Sequence, residues 1–235
     1  MKYDVIIIGA GPGGIFSAYE LVKTRSDLKI AVFDSGNSLE KRKCPIDGKR
    51  VKSCVGCKPC SIMNGFGGAG AFSDGKYNIT NQFGGTLYEY IGRDTAIELM
   101  KYVDQINLDH GGEGTKLYST ANTRIKKLCL EHDLHLLDAS VRHLGTDINY
   151  IVLENLYNEL KDQVEFHFLS PVDQVERIED GYRVHVKSEV YEGTECIISA
   201  GRSGSKWMEG VCREMEIPTK SNRVDIGVRV ELPAA

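Results

Sequence analysis

The stretch Val5-Ile6-Ile7-Ile8-Gly9-Ala10-Gly11-Pro12-Gly13-Gly14 decides the fold. Four consecutive β-branched residues suit a parallel strand buried on both faces, and the glycines at 9, 11 and 14 match GxGxxG directly after it. Each glycine has its own task in such a turn. Gly9 permits the tight turn, Gly11 lets the backbone approach a pyrophosphate, and Gly14 lets the next helix pack closely on the strand. Pro12 and Gly13 lie in the same turn and count with it as cofactor-binding positions. Ile15 to Val22 reads as the helix, whose N-terminal amides and positive dipole end would face the phosphates.

Outward from this turn, the apolar run Ile30 to Phe33 predicts a second strand ending at Asp34. That acid lies about 20 residues beyond the last glycine, where this fold places the carboxylate that accepts a ribose hydroxyl. An acid here also disfavours a 2′-phosphate, and so NADP at this site. Strand, glycines, helix, strand and acid together predict an α/β, Rossmann-like unit holding an adenine dinucleotide. A second GxGxxG match, Gly65, Gly67 and Gly70, follows a segment that contains Pro59 and no clear strand, so it is not counted as a nucleotide site. Its glycine density implies backbone pressed against a ligand or another chain segment.

The 235 residues can bury a good core and allow one large or two small domains. Hydrophobic residues at 41% and charged residues at 26% are ordinary for a globular protein. The net charge of -4 comes from 29 basic and 33 acidic residues that are interspersed, which speaks against a nucleic-acid partner. Val5 to Ile8 is too short for a signal sequence and follows Asp4, and no stretch reaches the roughly 20 apolar residues that span a bilayer. The expectation is a cytoplasmic protein with a small-molecule substrate or electron carrier and no membrane partner. Its seven cysteines should then be mostly reduced thiols, so that clustering points to metal or redox chemistry.

The chain divides into three expected units: residues 1–90, a βαβ unit with a Cys/Gly-rich loop; 91–163, a helical insertion; and 164–235, a β-meander with the return strands. Ser35 to about Tyr90 shows little periodicity, and so long an excursion implies function. Thr95 and Glu98 form a capping-box pattern ahead of a face made by Ala96, Leu99, Met100, Val103 and Ile106. Helices follow near Asn122 to His132 and Asp147 to Leu160, with apolar stripes read as core. From Val164 the pattern alternates through Phe166, Phe168, Val175, Ile178, Tyr182, Val184 and Val186. This predicts short antiparallel strands with a hairpin at Asp180-Gly181. Cys196 to Ile198 reads as a buried strand, Ser203 or Ser205 as the cap of a helix to about Glu216, and Val224 to Leu232 as a last strand.

Cys44, Cys54, Cys57 and Cys60 place four thiols in one irregular loop. Four thiolates could hold zinc or an iron–sulfur cluster, although the fourth position of a ferredoxin-like run is Met63. A redox-active dithiol and chemically idle thiols stay open beside the metal. Cys129, Cys196 and Cys212 fall on regular elements and read as small hydrophobes. His132 and His135 have helical spacing but no third ligand nearby, and Ser203 lacks the GxSxG of a hydrolase elbow. Arg42 and Lys76 are candidates to offset cofactor charge, against a plain solvated role.

The segments GAGPGG, Cys44-Pro45 with the CxxCxPC of residues 54–60, GFGGAGAFSDGKYN, ISAGRSGSKWM and DIGVRVE resemble the bacterial FAD-dependent dehydrogenases often described as uncharacterised. The resemblance runs through nearly all of the chain and implies an FAD/NAD(P)-binding domain of glutathione-reductase type. It places adenosine and pyrophosphate along the first strand, the glycine turn and Asp34, and the backbone of Val172 beside the adenine. Ala200 and Gly201 would form a second strand-end crossing near the cofactor. Gly67, Gly68, Gly70, Ser73 and Asp74 would approach the flavin, the alternative for Asp74-Gly75 being a simple turn. Members of the group are longer, and their closing Gly-Asp strand is not found here, so the chain is expected to be an N-terminal portion. The implied function is an FAD-dependent oxidoreductase transferring hydride or electrons, with NAD(P)H a candidate donor and no catalytic residue assigned. The alternatives are an NAD-dependent dehydrogenase and a non-catalytic flavin- or metal-binding redox module.

Overall fold

In the computed structural model, which describes residues 1–221, 226–228 and 231, Val5–Ile8 lies in a strand, β1 (Lys2–Ile8), that is flanked on both sides. β1 pairs in parallel with β2 (Ile30–Phe33), matching Val5 to Ile30 and Ile8 to Phe33. On its other side it pairs in parallel with β9 (Glu189–Ile198), matching Ile8 to Ile198. The unbroken apolar run follows from burial on both sides. Val5 and Ile7 join one core cluster, Ile6 and Ile8 the other. Helix α1 (Pro12–Thr24) covers the first face with Ile15 and Ala18, beside Val152, Leu153, Leu156 and Leu160 of α5 (Gly145–Leu160). The second face gathers Tyr3, Phe33, Val175, Val184 and Tyr191, with Trp207 of α6 (Ser205–Glu214) packed against them.

The full sheet has the order β6-β2-β1-β9-β8-β7. Here β6 (Val164–His167) corrects the sequence reading: it is no part of a meander but a parallel edge strand beside β2, with Ile30 opposite Val164. The alternation around Phe166 does not report direction. α5 immediately before it does, because a helical crossover returns the chain parallel. The meander is β7 (Gln174–Ile178), β8 (Gly181–Val186) and β9, with the expected hairpin between Ile178 and Gly181.

Between β2 and β6 lies a second sheet that the sequence did not announce. β3 (Lys76–Ile79), β4 (Leu117–Ser119) and β5 (Ser140–His143) pair antiparallel in the order β3-β5-β4, so its strands come from both sides of the boundary expected at residue 90. After the short α2 (Tyr88–Ile91) comes α3 (Arg93–Asn107), which is fastened to this sheet by a buried pair. Arg142 on β5 donates from Nε and Nη2 to the two carboxylate oxygens of Asp104, both at 2.7 Å. The capping box is not formed: α3 starts on Gly92, so that Thr95 and Glu98 lie inside it. On α4 (Thr123–Glu131), capped by the Asn122 side chain, Ile125, Leu128 and Leu130 are 49%, 53% and 56% exposed and are not core. α6 takes Gly204 as its N-cap, and neither serine hydroxyl caps it. The strand expected at 224–232 falls on residues largely outside those described. Among the described residues no helix is long and apolar enough to cross a membrane.

Candidate functional site

The site starts at the turn from β1 into α1. Gly9 has φ +105°, a left-handed conformation, and its amide donates to the Phe33 carbonyl at 2.8 Å. A Cβ on Gly14 would stand 1.8 Å from the Gly9 carbonyl oxygen, so strand and helix approach here as only glycine allows. α1 takes Gly11 as its N-cap and Pro12 as its first residue, with no side-chain cap and no acid in its first turn. Its positive end is therefore unneutralised by its own sequence.

Ser199, just beyond β9, completes this turn and escaped the sequence reading. Its hydroxyl donates to the carbonyls of Ile8 and Gly9 at 3.1 and 3.0 Å, and its amide donates to Ile8 at 2.8 Å. A Cβ on Gly9 would meet its carbonyl oxygen at 2.8 Å, and one on Gly13 its Cβ at 3.2 Å. The only local signal was a small polar residue ahead of Ala200-Gly201.

At the carboxyl ends of β1, β2 and β9 opens a cleft of about 1030 Å³, where open α/β sheets bind ligands. Its floor is Gly9, Gly11, Pro12 and Gly13; its sides include Asp34, Val172, Ala200, Gly201 and Trp207. Asp34 Oδ2 accepts the Ala10 amide at 2.8 Å and Oδ1 the Gly36 amide at 2.7 Å. A carboxylate offers about four acceptor positions, so Asp34 ties the glycine turn to β2 and can still accept hydroxyls from the cleft. Val172 lies on the connection from β6 to β7. That connection is bound to the end of β2 through Ser170 N to Asp34 O at 2.9 Å. Lys58 and Arg202 are the cations on the wall, and Trp207 is held by its Nε1 donating to Asp173 O at 3.1 Å.

The second glycine cluster lies against the first, as close backbone packing implied. The Gly67 amide donates to Ala10 O at 2.8 Å, and Gly68 and Gly70 line the cleft. Gly67 lies behind them, against Leu153. Ser73 and Asp74, expected near the flavin, do not line the cleft. Ser73 Oγ accepts the Gly75 amide at 3.2 Å, and the exposed Asp74 carboxylate pairs with Lys76 at 2.7 Å. That hydrogen bond holds the Asp74 carboxyl below its usual range, and the simple turn is what forms. Lys76 is thereby a surface residue.

Arg42 is the opposite case. It is 3% exposed, and its guanidinium donates to the carbonyls of Ser61, Phe66 and Ile62 at 2.9, 2.6 and 2.8 Å. Burial pushes its pKa down, while the charges of Asp34 and Cys60 pull it back. It clamps the loop between the cysteines and the second glycine cluster.

The four cysteines of that loop do not converge. Cys57 and Cys60 line the cleft, whereas Cys44 and Cys54 are exposed and do not. Among the described residues no three His, Cys, Asp or Glu side chains are grouped to hold a metal, so the expected ligand set is not formed. Of the remaining thiols only Cys212 is fully buried; the burial that Cys196 does have pushes its thiol up to about 12. His132 and His135 are exposed.

No family model matches the chain. Over 33 residues, 14% of this chain and 10% of the relative, it is 58% identical to thiamine thiazole synthase of Yarrowia lipolytica (strain CLIB 122 / E 150). Glycine oxidase from Geobacillus kaustophilus superposes with a TM-score of 0.53 and 13% identity, covering 92% of this chain and 59% of the oxidase. L-amino acid deaminase from Proteus myxofaciens gives a TM-score of 0.44 and 12% identity over 93% of this chain and 49% of that one. The chain thus spans less than two thirds of the length of each. Its α/β, Rossmann-like fold, which the sequence led one to expect, is shared with glycine oxidase, and the small antiparallel sheet is an addition that the sequence did not announce.

Proposed function

We propose that this chain carries the FAD-binding portion of a flavin-dependent oxidoreductase that acts on a small molecule in the cytoplasm. One observation carries the reading: the acid-free amino end of α1 and the bare Gly11 face a cleft of about 1030 Å³. Ligand sites commonly enclose about 300–1,000 Å³, so there is room for an extended dinucleotide. A Cβ on Gly11 would meet nothing closer than Gly68 Cα, at 3.8 Å, and would point into open cleft.

In this reading the first amides of α1, with Lys58 and Arg202, hold the pyrophosphate, since each places positive charge on the cleft. Asp34 accepts ribose hydroxyls, and the apolar sides of Val172 and Trp207 shield the adenosine from water. Ser199 keeps the turn in the shape that presents the amides. A bound flavin supplies hydride or electron transfer, while the protein supplies position and electrostatics.

The test is the visible spectrum of the purified full chain with a fluorescence titration of FAD into flavin-free protein. The expected result is a yellow protein that releases FAD on denaturation and does not exchange it for NAD. Colourless protein that refuses FAD would refute the assignment, and colourless protein that binds NAD would move it to a pyridine-nucleotide dehydrogenase.

A further inference from the structure

Of the four loop thiols, two are placed where chemistry in the cleft could reach them. Cys57 and Cys60 both lie on its wall, with two residues between them, together with Gly68, Gly70 and the start of α1. Cys54 and Cys57 have the same spacing, but Cys54 is off the wall. The two wall thiols are unlike each other. Cys60 is half-buried and opens a fixed turn: its carbonyl accepts the amides of Met63 and Asn64 at 3.1 and 2.9 Å, and Arg42 clamps the next two carbonyls. Cys57 is exposed and follows Gly56, which has φ +68° and open space around it.

We propose that Cys57 and Cys60 are a redox-active pair, closing to a disulfide on the cleft wall and exchanging its electron pair with the flavin. The proposal rests on the FAD reading above. An exposed thiol beside a half-buried one suits a couple in which the first meets a partner and the second closes the bond. The Arg42 guanidinium, buried without a carboxylate in ion-pair contact among the described residues, holds the Ser61 and Ile62 carbonyls and so fixes the turn from which Cys60 faces the cleft. The exchange balances. Forming the sulfur–sulfur bond removes two electrons and two protons from the thiols, and an oxidised flavin takes up both. The reverse reaction reopens the bond.

Two measurements on the full chain test this. Flavin-loaded protein, first oxidised with glutathione disulfide, is titrated anaerobically with reductant and read as electrons per bound flavin. The wild type should take up about four, and Cys57→Ser or Cys60→Ser about two. Flavin-free protein, oxidised in the same way, alkylated and mapped by peptide mass, should show one bond, between residues 57 and 60. Uptake of two electrons per flavin by the wild type, or a bond that uses Cys44 or Cys54 instead, overturns the proposal. Protein that takes up no FAD refutes the functional reading and the flavin exchange with it, whereas flavin-loaded protein lacking the 57–60 bond refutes the pair alone.

Discussion

Replacing Gly14 with alanine and Gly11 with valine should separate what the fold needs from what a ligand needs. At Gly14 the new Cβ would lie 1.8 Å from the Gly9 carbonyl oxygen, so the helix or the turn must move by more than an ångström. The obstacle is backbone, held in place by Ser199, and cannot swing aside. Overpacking of this kind costs about 1–3 kcal/mol, here at the upper end, while alanine returns about 1 kcal/mol of helix propensity. A net loss of about 2 kcal/mol lowers Tm by roughly 4–8 °C in a chain of this size. At Gly11 the backbone is ordinary, φ −76°, and the nearest atom to a new Cβ is 3.8 Å away. Valine there costs only the N-cap preference, about 0.5–1 kcal/mol, and its methyl groups occupy the approach to the helix amides. Loss of even one charge-assisted contact of about 1.5–3 kcal/mol weakens FAD binding tenfold or more. Melting curves and FAD titrations of both variants decide the matter. Gly11→Val protein that binds FAD like the wild type, or that melts as early as Gly14→Ala, would refute the reasoning.

Ser199→Ala removes the hydroxyl that bridges the Ile8 and Gly9 carbonyls, and should cost about 1 kcal/mol, read as a Tm lower by roughly 2–4 °C with weaker FAD binding. Unchanged melting would show that the backbone bond from Ser199 N suffices. Arg42→Met keeps the apolar stem but strands three carbonyls, for an expected loss of about 2–4 kcal/mol and faster proteolysis between residues 60 and 66; equal proteolysis rates would deny the clamp. Stability should also fall on the alkaline side. Burial raises Cys196 from 9.0 to about 12, and a hydrogen bond to Glu189, then burial, raises Tyr191 from 10.0 to about 12. The folded chain keeps protons that the unfolded chain has already lost, so stability is whole below about pH 9 and declines from there towards pH 12. Tm measured from about pH 8 to 11 should drop steadily, and less so in Cys196→Ala; a flat or rising curve would contradict both the Cys196 burial and the Tyr191–Glu189 hydrogen bond.

The elements legible from local pattern were those whose determinants are close in sequence. The β1–α1 turn, Asp34 at the end of β2, α5 and the β7–β8 hairpin each carry their signal within one short window. β6 departs from the expected antiparallel meander because alternation marks a strand and not its direction. The second sheet was missed because Lys76–Ile79, Leu117–Ser119 and Ser140–His143 are too short to show a period, and only their pairing makes them strands. The stripe of α4 reads as core yet is exposed, because an amphipathic pattern states that a helix has an apolar side without stating that anything covers it.

The same limit governs the site. Ser199 and Arg42 act on carbonyls that are remote in sequence, and no spacing rule connects Arg42 with Ser61 or Ser199 with Ile8. The structure also changes what the glycine motif is worth as a sign of function. Gly9 and Gly14 are required by the protein's own backbone, the one by its positive φ and Ser199, the other by the Gly9 carbonyl. They would be glycine in this fold whether or not anything bound. Gly11 is different, since its φ is ordinary and a Cβ would make only one van der Waals contact. Under the proposed function the ligand in the cleft is what asks for glycine at position 11, and that single position carries the ligand argument for the whole motif.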